Sequence, residues 1–454
     1  MRAATVRQTD CRVLLWLAED LRLEDNLALR LATTGYGCMA VLRIAPEARG
    51  RPRRTPHRRA LEEAAEARLE AHFSAKGIPF EVRGPGDDTS VAAACRRHGC
   101  SVVIRNAADG MAVELAHHRR WTDELAAAGI QVLTVNGEMI RRKGAGGARP
   151  DAPFLSDAVE VAQGALPEDH PIALLRAFLK VLPERDYLAG MWVPGRDRLS
   201  TSLLSTHFAA GTLSSDRARV ETEAAERAWH CANPGQARTV AGKSFGAFKG
   251  RVRYRPGFLT TFSRYEDDLR PLPITPEMRR RVEGWRDGCT GIPMPDAAMR
   301  ELKATGWINF RLRQLAASYA VQLLGLPPFE VGTVLAEMFD DYEPGITWLQ
   351  VAINDGRVDQ DRGPRILNPV KQGRDLDPDE SYVRAWLPEM ASLPAGFAHE
   401  PWLHPASPLP PPLVDHLTAA RAARAAWGAK SSVLGARPVH ETPSFDFGER
   451  NAPR

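Results

Sequence analysis

Between Arg12 and Val135 short apolar runs alternate with amphipathic stretches, and this alternation constrains the fold more than any other feature of the chain. Arg12 to Leu17 reads as a buried strand, and Asp25-Asn26 caps a short helix, Leu27 to Ala32. Cys38 to Ile44 is a second strand. Arg58 to Lys76 is an amphipathic helix ended by Gly77, and the strand Pro79 to Val82 comes next. Helix Ser90 to His98, strand Ser101 to Arg105, helix Met111 to Ala128 and strand Gln131 to Val135 complete the series. Strands and helices alternating at this spacing imply an α/β doubly wound parallel sheet over roughly residues 10–138.

Residues 141–170 mix Arg, Gly, Pro and Ala without an apolar period and read as a linker between residues 1–140 and residues 171–430. From Pro171 helical periods dominate, over 172–182, 214–230, 276–287, 296–303, 307–324, 330–340, 379–386 and 414–427. No comparable set of strands is present, so residues 171–430 are expected to form an all-helical domain. Residues 431–454, rich in Pro and Arg, have the composition of a disordered tail.

The composition, 44% hydrophobic and 26% charged, excludes a wholly disordered, collagenous or coiled-coil chain. A formal net charge of +4 is too weak to imply a nucleic-acid partner by itself, so any such partner must be argued locally. Six Cys in 454 residues form no disulfide framework, and Cys95 with Cys100 lacks the second close pair of a zinc site. The run Val13 to Leu17 is shorter than the core of a signal peptide, and no stretch approaches 18 apolar residues. A cytoplasmic protein without a membrane partner or metal is expected.

Three polar clusters carry candidate chemistry. The basic run Arg49 to Arg59 sits in a connection between strand and helix, where solvation is the ordinary fate of a charge run and phosphate contact the alternative. Thr201 to Thr206 is a hydroxyl cluster at a helix start, suited to an N-cap or to a diphosphate. Trp307 to Arg313 places Asn309 and Arg313 four residues apart on one helix face. Asp340 or Asp341 is the acidic partner available to Arg313, in an interhelix salt bridge or in a binding site.

Taken in order, these segments resemble the cryptochrome/photolyase family. Leu14-Leu15-Trp16 with Asp20-Leu21-Arg22-Leu23-Glu24-Asp25-Asn26-Leu27-Ala28-Leu29 is similar to its opening motif. Thr201 to Ser205 and Gly211-Thr212-Leu213-Ser214 resemble its diphosphate loop for FAD. Gly291-Ile292-Pro293, Asp296 to Arg300 and Thr305 to Arg313 resemble its flavin-binding centre; Arg365 to Gly373 and Trp386-Leu387-Pro388-Glu389 complete the order. The resemblance spans about residues 12–390, and its wording around Glu343-Pro344-Gly345-Ile346 and Lys371 to Asp379 is similar to a bacterial photolyase-like branch.

The resemblance implies an α/β domain joined to a helical FAD domain, in which reduced flavin excited by blue light passes an electron to a pyrimidine dimer in DNA. It assigns to the cofactor Thr201, Ser202, Leu203, Leu204, Ser205, Phe248, Arg251, Arg255, Trp307, Asn309, Arg313, Asp340 and Asp341. It assigns Arg251, Tyr254 and Gln314 to the substrate, and Arg313, Trp348 and Glu343 to the chemistry, Glu343 or a neighbour facing the flavin N5. Three departures qualify it. Ala18-Glu19 replaces the family's Arg-Asn pair, so an antenna chromophore, folate or deazaflavin, is not carried over to this chain. Pro256 with Gly257 is expected to break the helix that carries Tyr254. The family's tryptophan relay is interrupted by Gly325-Leu326-Pro327-Pro328, leaving Trp348 as its inner member. An iron-sulfur cluster needs four Cys in the helical half, which holds only Cys231 and Cys289. Besides DNA photolyase-type lyase activity, two readings stay open: light-independent flavin redox chemistry on a small molecule, favoured by the broken relay and the charged segment Asn354 to Gly363, and a cryptochrome-like photoreceptor signalling through the tail after residue 431.

Overall fold

The computed structural model describes residues 12–36, 38–45, 52, 54–84, 90–107, 110–135, 169–195, 200–262, 265, 269–356, 358 and 364–434. Outside them lie nearly all of the expected linker, residues 435–454, Arg49, Arg51 and Arg53 of the basic run, and residues 357 and 359–363 of the charged segment.

Strands β1 (Arg12–Leu17), β2 (Cys38–Ile44), β3 (Phe80–Arg83), β4 (Val102–Asn106) and β5 (Gln131–Val135) form one parallel sheet in the order β3-β2-β1-β4-β5. Helices α1 (Leu27–Gly35), α2 (Pro56–Ser74), α3 (Val91–His98) and α4 (Ala112–Ala127) make the crossovers. In β1, Val13, Leu15 and Leu17 pack with Leu69 and Phe73 of α2, while Leu14 and Trp16 pack with Cys95 of α3 and Trp121 and Leu125 of α4. A strand buried on both faces has no polar side to alternate with, which is why β1 reads as an unbroken apolar run.

The helical series continues with α5 (Pro171–Val181), α6 (Tyr187–Trp192), α7 (Ser205–Ala210), α8 (Ser215–Ala232) and α9 (Val240–Phe262). Then come α10 (Pro276–Arg286), α11 (Pro293–Thr305), α12 (Phe310–Ser318), α13 (Pro328–Met338) and α14 (Pro344–Asp355). Helices α15 (Pro369–Leu376), α16 (Ser381–Trp386) and α17 (His416–Leu434) end the described chain, α17 passing the expected domain end at residue 430. Met299 and Leu302 of α11, Leu312 and Leu315 of α12 and Val331 and Leu335 of α13 share one buried core.

Two compact units result, and they do not follow the linear boundaries read from the sequence. One comprises residues 1–177 with 204–224, the other residues 178–203 with 225–454. The stretch 204–224 joins the sheet's unit because the opening motif holds it there. Arg22 Nη1 donates to Gly211 O at 3.0 Å, and the Ser214 hydroxyl donates to the Asp25 carboxylate. Gly211, at φ +67°, lies so close to β1's exit that a Cβ would stand 1.8 Å from Glu19 O.

Further expectations are corrected. Pro256 does not break its helix: α9 runs through it, although a proline removes one amide donor and crowds the preceding turn. Phe245, Phe248, Val252, Leu259 and Phe262 are all buried at helical spacing, and that packing outweighs the local penalty. The same Gly and Pro content hid α9 from a propensity-based reading. The helix expected over 307–324 starts only at Phe310 and changes pitch after Ser318, where Leu324 N donates to Tyr319 O at 3.0 Å in a π-helical turn. Arg54 and Arg58 of the basic run are not solvated. Arg54 Nη1 reaches Glu62 Oε2 at 2.6 Å, and Arg58, 6% exposed, pairs with the same carboxylate.

Candidate functional site

The site in the second unit is built on the first turns of α12. Asn309 sets where that helix begins. Its Oδ1 accepts from Leu312 N at 2.9 Å, satisfying an amide without an intrahelical partner, and its Nδ2 donates to Val193 O at 3.0 Å. Asn309 is therefore the N-cap, its carbonyl accepts from Arg313 N at 3.1 Å one turn on, and both ends of its side-chain amide already bond protein atoms.

Arg313, one turn in, forms a forked pair with Asp341: Nη1 to Oδ1 at 3.0 Å and Nη2 to Oδ2 at 2.9 Å. Its Nε donates to Ile308 O at 2.9 Å, and its guanidinium carbon lies 4.1 Å from the centre of the Phe339 ring. The choice between the two adjacent carboxylates is settled by a glycine. Asp340 packs on Gly306, where a Cβ would meet its carboxylate at 2.3 Å, and Asp340 N donates to Gly306 O at 2.9 Å. Asp341, 8% exposed, is left for Arg313.

Three α9 side chains predicted for the site are placed as follows. The Arg251 guanidinium lies 4.3 Å from the centre of the Phe310 ring, and Tyr254 is half-buried one turn further on. Burial lowers the pKa of Arg251, opposed by nearby Tyr187 and Tyr254. Arg255 pairs with Glu343, Nε to Oε2 at 3.1 Å with a second, shorter contact from Nη2. The Glu343 carboxylate is thus charge-paired, 8% exposed, at the start of α14.

Trp348 on α14 is 3% exposed; its Nε1 donates to the Tyr342 hydroxyl at 3.0 Å, and its ring centre lies 5.5 Å from that of Phe329. Phe248 belongs to an aromatic cluster, 5.0 Å from Phe178 and 5.7 Å from Tyr187 between ring centres. Trp307 is half-buried; its backbone N–H donates to the Thr305 hydroxyl oxygen at 3.2 Å, and its carbonyl accepts from the same hydroxyl at 2.7 Å. The hydroxyl cluster straddles the division of the chain: Thr201, Ser202 and Leu203 fall in the second unit, Leu204 and Ser205 in the first. Leu203 sits at φ +53° and Leu204 is buried.

Sequence reasoning missed Arg311, Gln372, Phe310 and Trp192. Arg311 Nε donates to Gln372 Oε1 at 2.7 Å and Nη1 to Gln314 Oε1 at 3.2 Å, while its guanidinium lies 5.1 Å from the Trp192 ring centre. Arg311 and Gln372 stand inside the two quoted motifs around Arg313 and Asn368; only their spatial meeting was unreadable. Gln314 is 2% exposed, and its Nε2 has no acceptor among the described residues.

The donor set fits a flavin. A forked, half-sheltered guanidinium and an unpaired amide donor one residue on suit a ring system edged with carbonyl oxygens and able to carry negative charge. Among the described residues no three His, Cys, Asp or Glu group as metal ligands, and no helix is long and apolar enough to cross a membrane.

Comparison with known proteins agrees with that geometry. Residues 13–145 match the family model described as DNA photolyase, and residues 256–429 match the FAD binding domain of DNA photolyase, together well over half of the chain. A cryptochrome DASH of Gloeobacter violaceus is 43% identical over 143 residues, 30% of this chain and 28% of that protein. Cryptochrome-1 of Arabidopsis thaliana is 26% identical over 459 residues, 87% of this chain and 65% of that protein. The matches thus span less than two thirds of these relatives' own length. A bacterial class III photolyase from Agrobacterium tumefaciens shares the fold with a TM-score of 0.66 at 22% identity, over 94% of this chain and 99% of that one. A flavin-binding helical unit together with a parallel α/β unit defines the class, and the chain belongs to the cryptochrome/photolyase family, with an FAD-binding domain.

Proposed function

We propose that this protein is a DNA photolyase-type lyase that splits the carbon-carbon bonds of a pyrimidine dimer under blue light. The observation that carries the reading is the placing of Arg251 on Phe310, the residue that opens α12, three positions before the Arg313–Asp341 pair. Aromatic faces and guanidinium groups beside a flavin-type centre suit an extruded base and its phosphates better than a small neutral substrate. Thr201 and Ser202, in the same unit as Arg313 and Asp341, are residues that would hold the FAD diphosphate, and Arg313 with Asp341 the ring. When bound, reduced FAD supplies the light-absorbing electron donor. Arg313 contributes fixed positive charge that favours an electron-rich ring, and Asp341 holds the guanidinium in one orientation. Arg251 and Tyr254 offer the substrate a cation and a stacking face.

Two arms test this. Chemically reduced protein, kept from air, is expected to remove thymine dimers from an oligonucleotide under blue light and not in darkness. Equal loss in darkness, or none with flavin demonstrably bound, overturns the proposal. Arg313→Leu leaves Asp341 buried without its cation, at a cost of roughly 3–5 kcal/mol, and is expected to abolish FAD retention, read from the flavin absorbance of the purified variant. A second reading, flavin redox chemistry in the dark, draws on the neighbours of Trp348, which are Phe329 and Tyr342 rather than a second tryptophan. Dark turnover of a small-molecule oxidant would establish it.

A further inference from the structure

The pair Cys95 and Cys100, too few for a zinc site, ends up inside a helix cap. Helix α3 closes with Gly99 at φ +65°; Gly99 N donates to Arg96 O at 3.3 Å, and Cys100 N donates to Cys95 O at 2.8 Å. These two bonds together make a Schellman motif, which sets the side chains of its first and last residues, here Cys95 and Cys100, against each other. With standard bond lengths, the bond from Cys100 N to Cys95 O limits the Cα separation to about 6.7 Å. That lies within the roughly 4.4–6.8 Å that a disulfide spans. Both side chains belong to one apolar cluster with Leu14 and Trp16, Cys95 being 0% and Cys100 6% exposed. The motif asks only for an apolar contact there; two thiols supply it and add chemistry. Burial first, and neighbouring Cys100 second, push the Cys95 thiol up to about 12. Cys95 therefore stays protonated at neutral pH, and the more exposed Cys100 is the sulfur an oxidant meets first.

We propose that Cys95 and Cys100 are a redox pair that hydrogen peroxide, small enough to reach a nearly buried sulfur, closes into a reversible disulfide across the cap of α3. The Cys100 thiolate attacks the peroxide, forming an S–O bond as the O–O bond breaks and water leaves. The Cys95 thiolate then attacks that sulfur; the S–S bond forms, the S–O bond breaks and a second water leaves. Two thiols are oxidised and one peroxide is reduced to two waters, which carry off the thiol protons. The bridge ties the end of α3 to the approach of β4, and it is independent of light, flavin and DNA.

Arg96 and Arg97 lie between the two cysteines, so trypsin separates residues 84–96 from residues 98–105 unless a disulfide holds them together. Native full-length protein is treated with hydrogen peroxide in mildly alkaline buffer, quenched with catalase, unfolded in N-ethylmaleimide, digested and weighed by mass spectrometry. The expected product is the two peptides joined, lighter than their sum by two hydrogens and separated by dithiothreitol. Cys95→Ala should leave Cys100 as a sulfenic acid that dimedone traps, and Cys100→Ala should leave Cys95 unoxidised. The wild-type peptide map decides the matter even where a variant fails to fold. Recovery of Cys95 and Cys100 as maleimide adducts, from protein whose exposed Cys231 and Cys289 have been oxidised, overturns the proposal. So does linkage of either cysteine to Cys231 or Cys289 in place of each other, or a link that forms only when peroxide is added to the unfolded chain.

Discussion

Glu62 is the residue where charge and burial oppose each other most openly. Its side chain is 1% exposed, yet Arg43 Nη2 lies at 3.1 Å, Arg54 Nη1 at 2.6 Å, and Arg58 shares the carboxylate. Burial alone would raise its pKa; the guanidiniums of Arg58, Arg43 and Arg54 outweigh that and hold it down at about 2. A depressed carboxylate stabilises the fold above its unfolded pKa near 4.5 and loses that contribution as pH falls toward 2. Unfolding by urea across this range is therefore expected to show on the order of 3 kcal/mol of acid-labile stability that Glu62→Gln lacks. The variant should also be weaker at neutral pH, since Gln cannot offset three cations. Of this cluster the sequence displayed only the Arg58 and Glu62 spacing of one helical turn. Arg43 comes from β2, and its arrival depends on the crossover. The same limit applied to Arg313: the need for an acid was legible, but the choice of Asp341 over Asp340 came from the packing of Asp340 on Gly306.

At the scale of elements, the contact between α13 and α14 decides where Trp348 lies. Gly332 leaves the space: a Cβ there would stand 2.1 Å from the Trp348 ring. Gly332→Ala must push the indole off its hydrogen bond to Tyr342 or part the two helices. The expected cost is roughly 1–3 kcal/mol, seen as a lowered melting temperature together with altered near-ultraviolet circular dichroism from the displaced tryptophan. Helices with strong periods or clear caps, such as α8, α10 and α11, were readable before folding. Helices α9, α14 and α15 were not, because Gly and Pro lower their local propensity and buried faces stabilise them instead. Helix α12 was readable as a helix but not in its start at Phe310 or its pitch: its continuation into a π-helical turn accompanies the Ser318 hydroxyl bridging to Arg365 O and Leu367 N, contacts made by residues nearly fifty positions away.

At the scale of the whole molecule, the chain does not divide where its composition changes. Residues 204–224 leave the helical half and complete the sheet's unit through Arg22, Asp25, Gly211 and Ser214. Gly211→Ala places a Cβ against the Glu19 carbonyl and imposes a side chain at φ +67°, so a loss of roughly 3 kcal/mol is expected in that unit. Hydrogen exchange resolves it: amides of β1 and β4 should exchange faster, while those of α11, α12 and α13 keep their protection. The opening motif, read from the sequence as a family signature, thus has a structural use that its wording does not reveal. By itself the sequence determined the parallel sheet, the helical character of the second half and the FAD-binding family, because each depends on local period, caps or ordered motifs. Only the tertiary structure decided which acid holds Arg313, that Arg255 neutralises Glu343, that Asn309 is a cap, and that Gln314 is left with one unpaired donor. Those outcomes depend on side chains distant in sequence competing for the same few ångströms, and no local pattern records who wins.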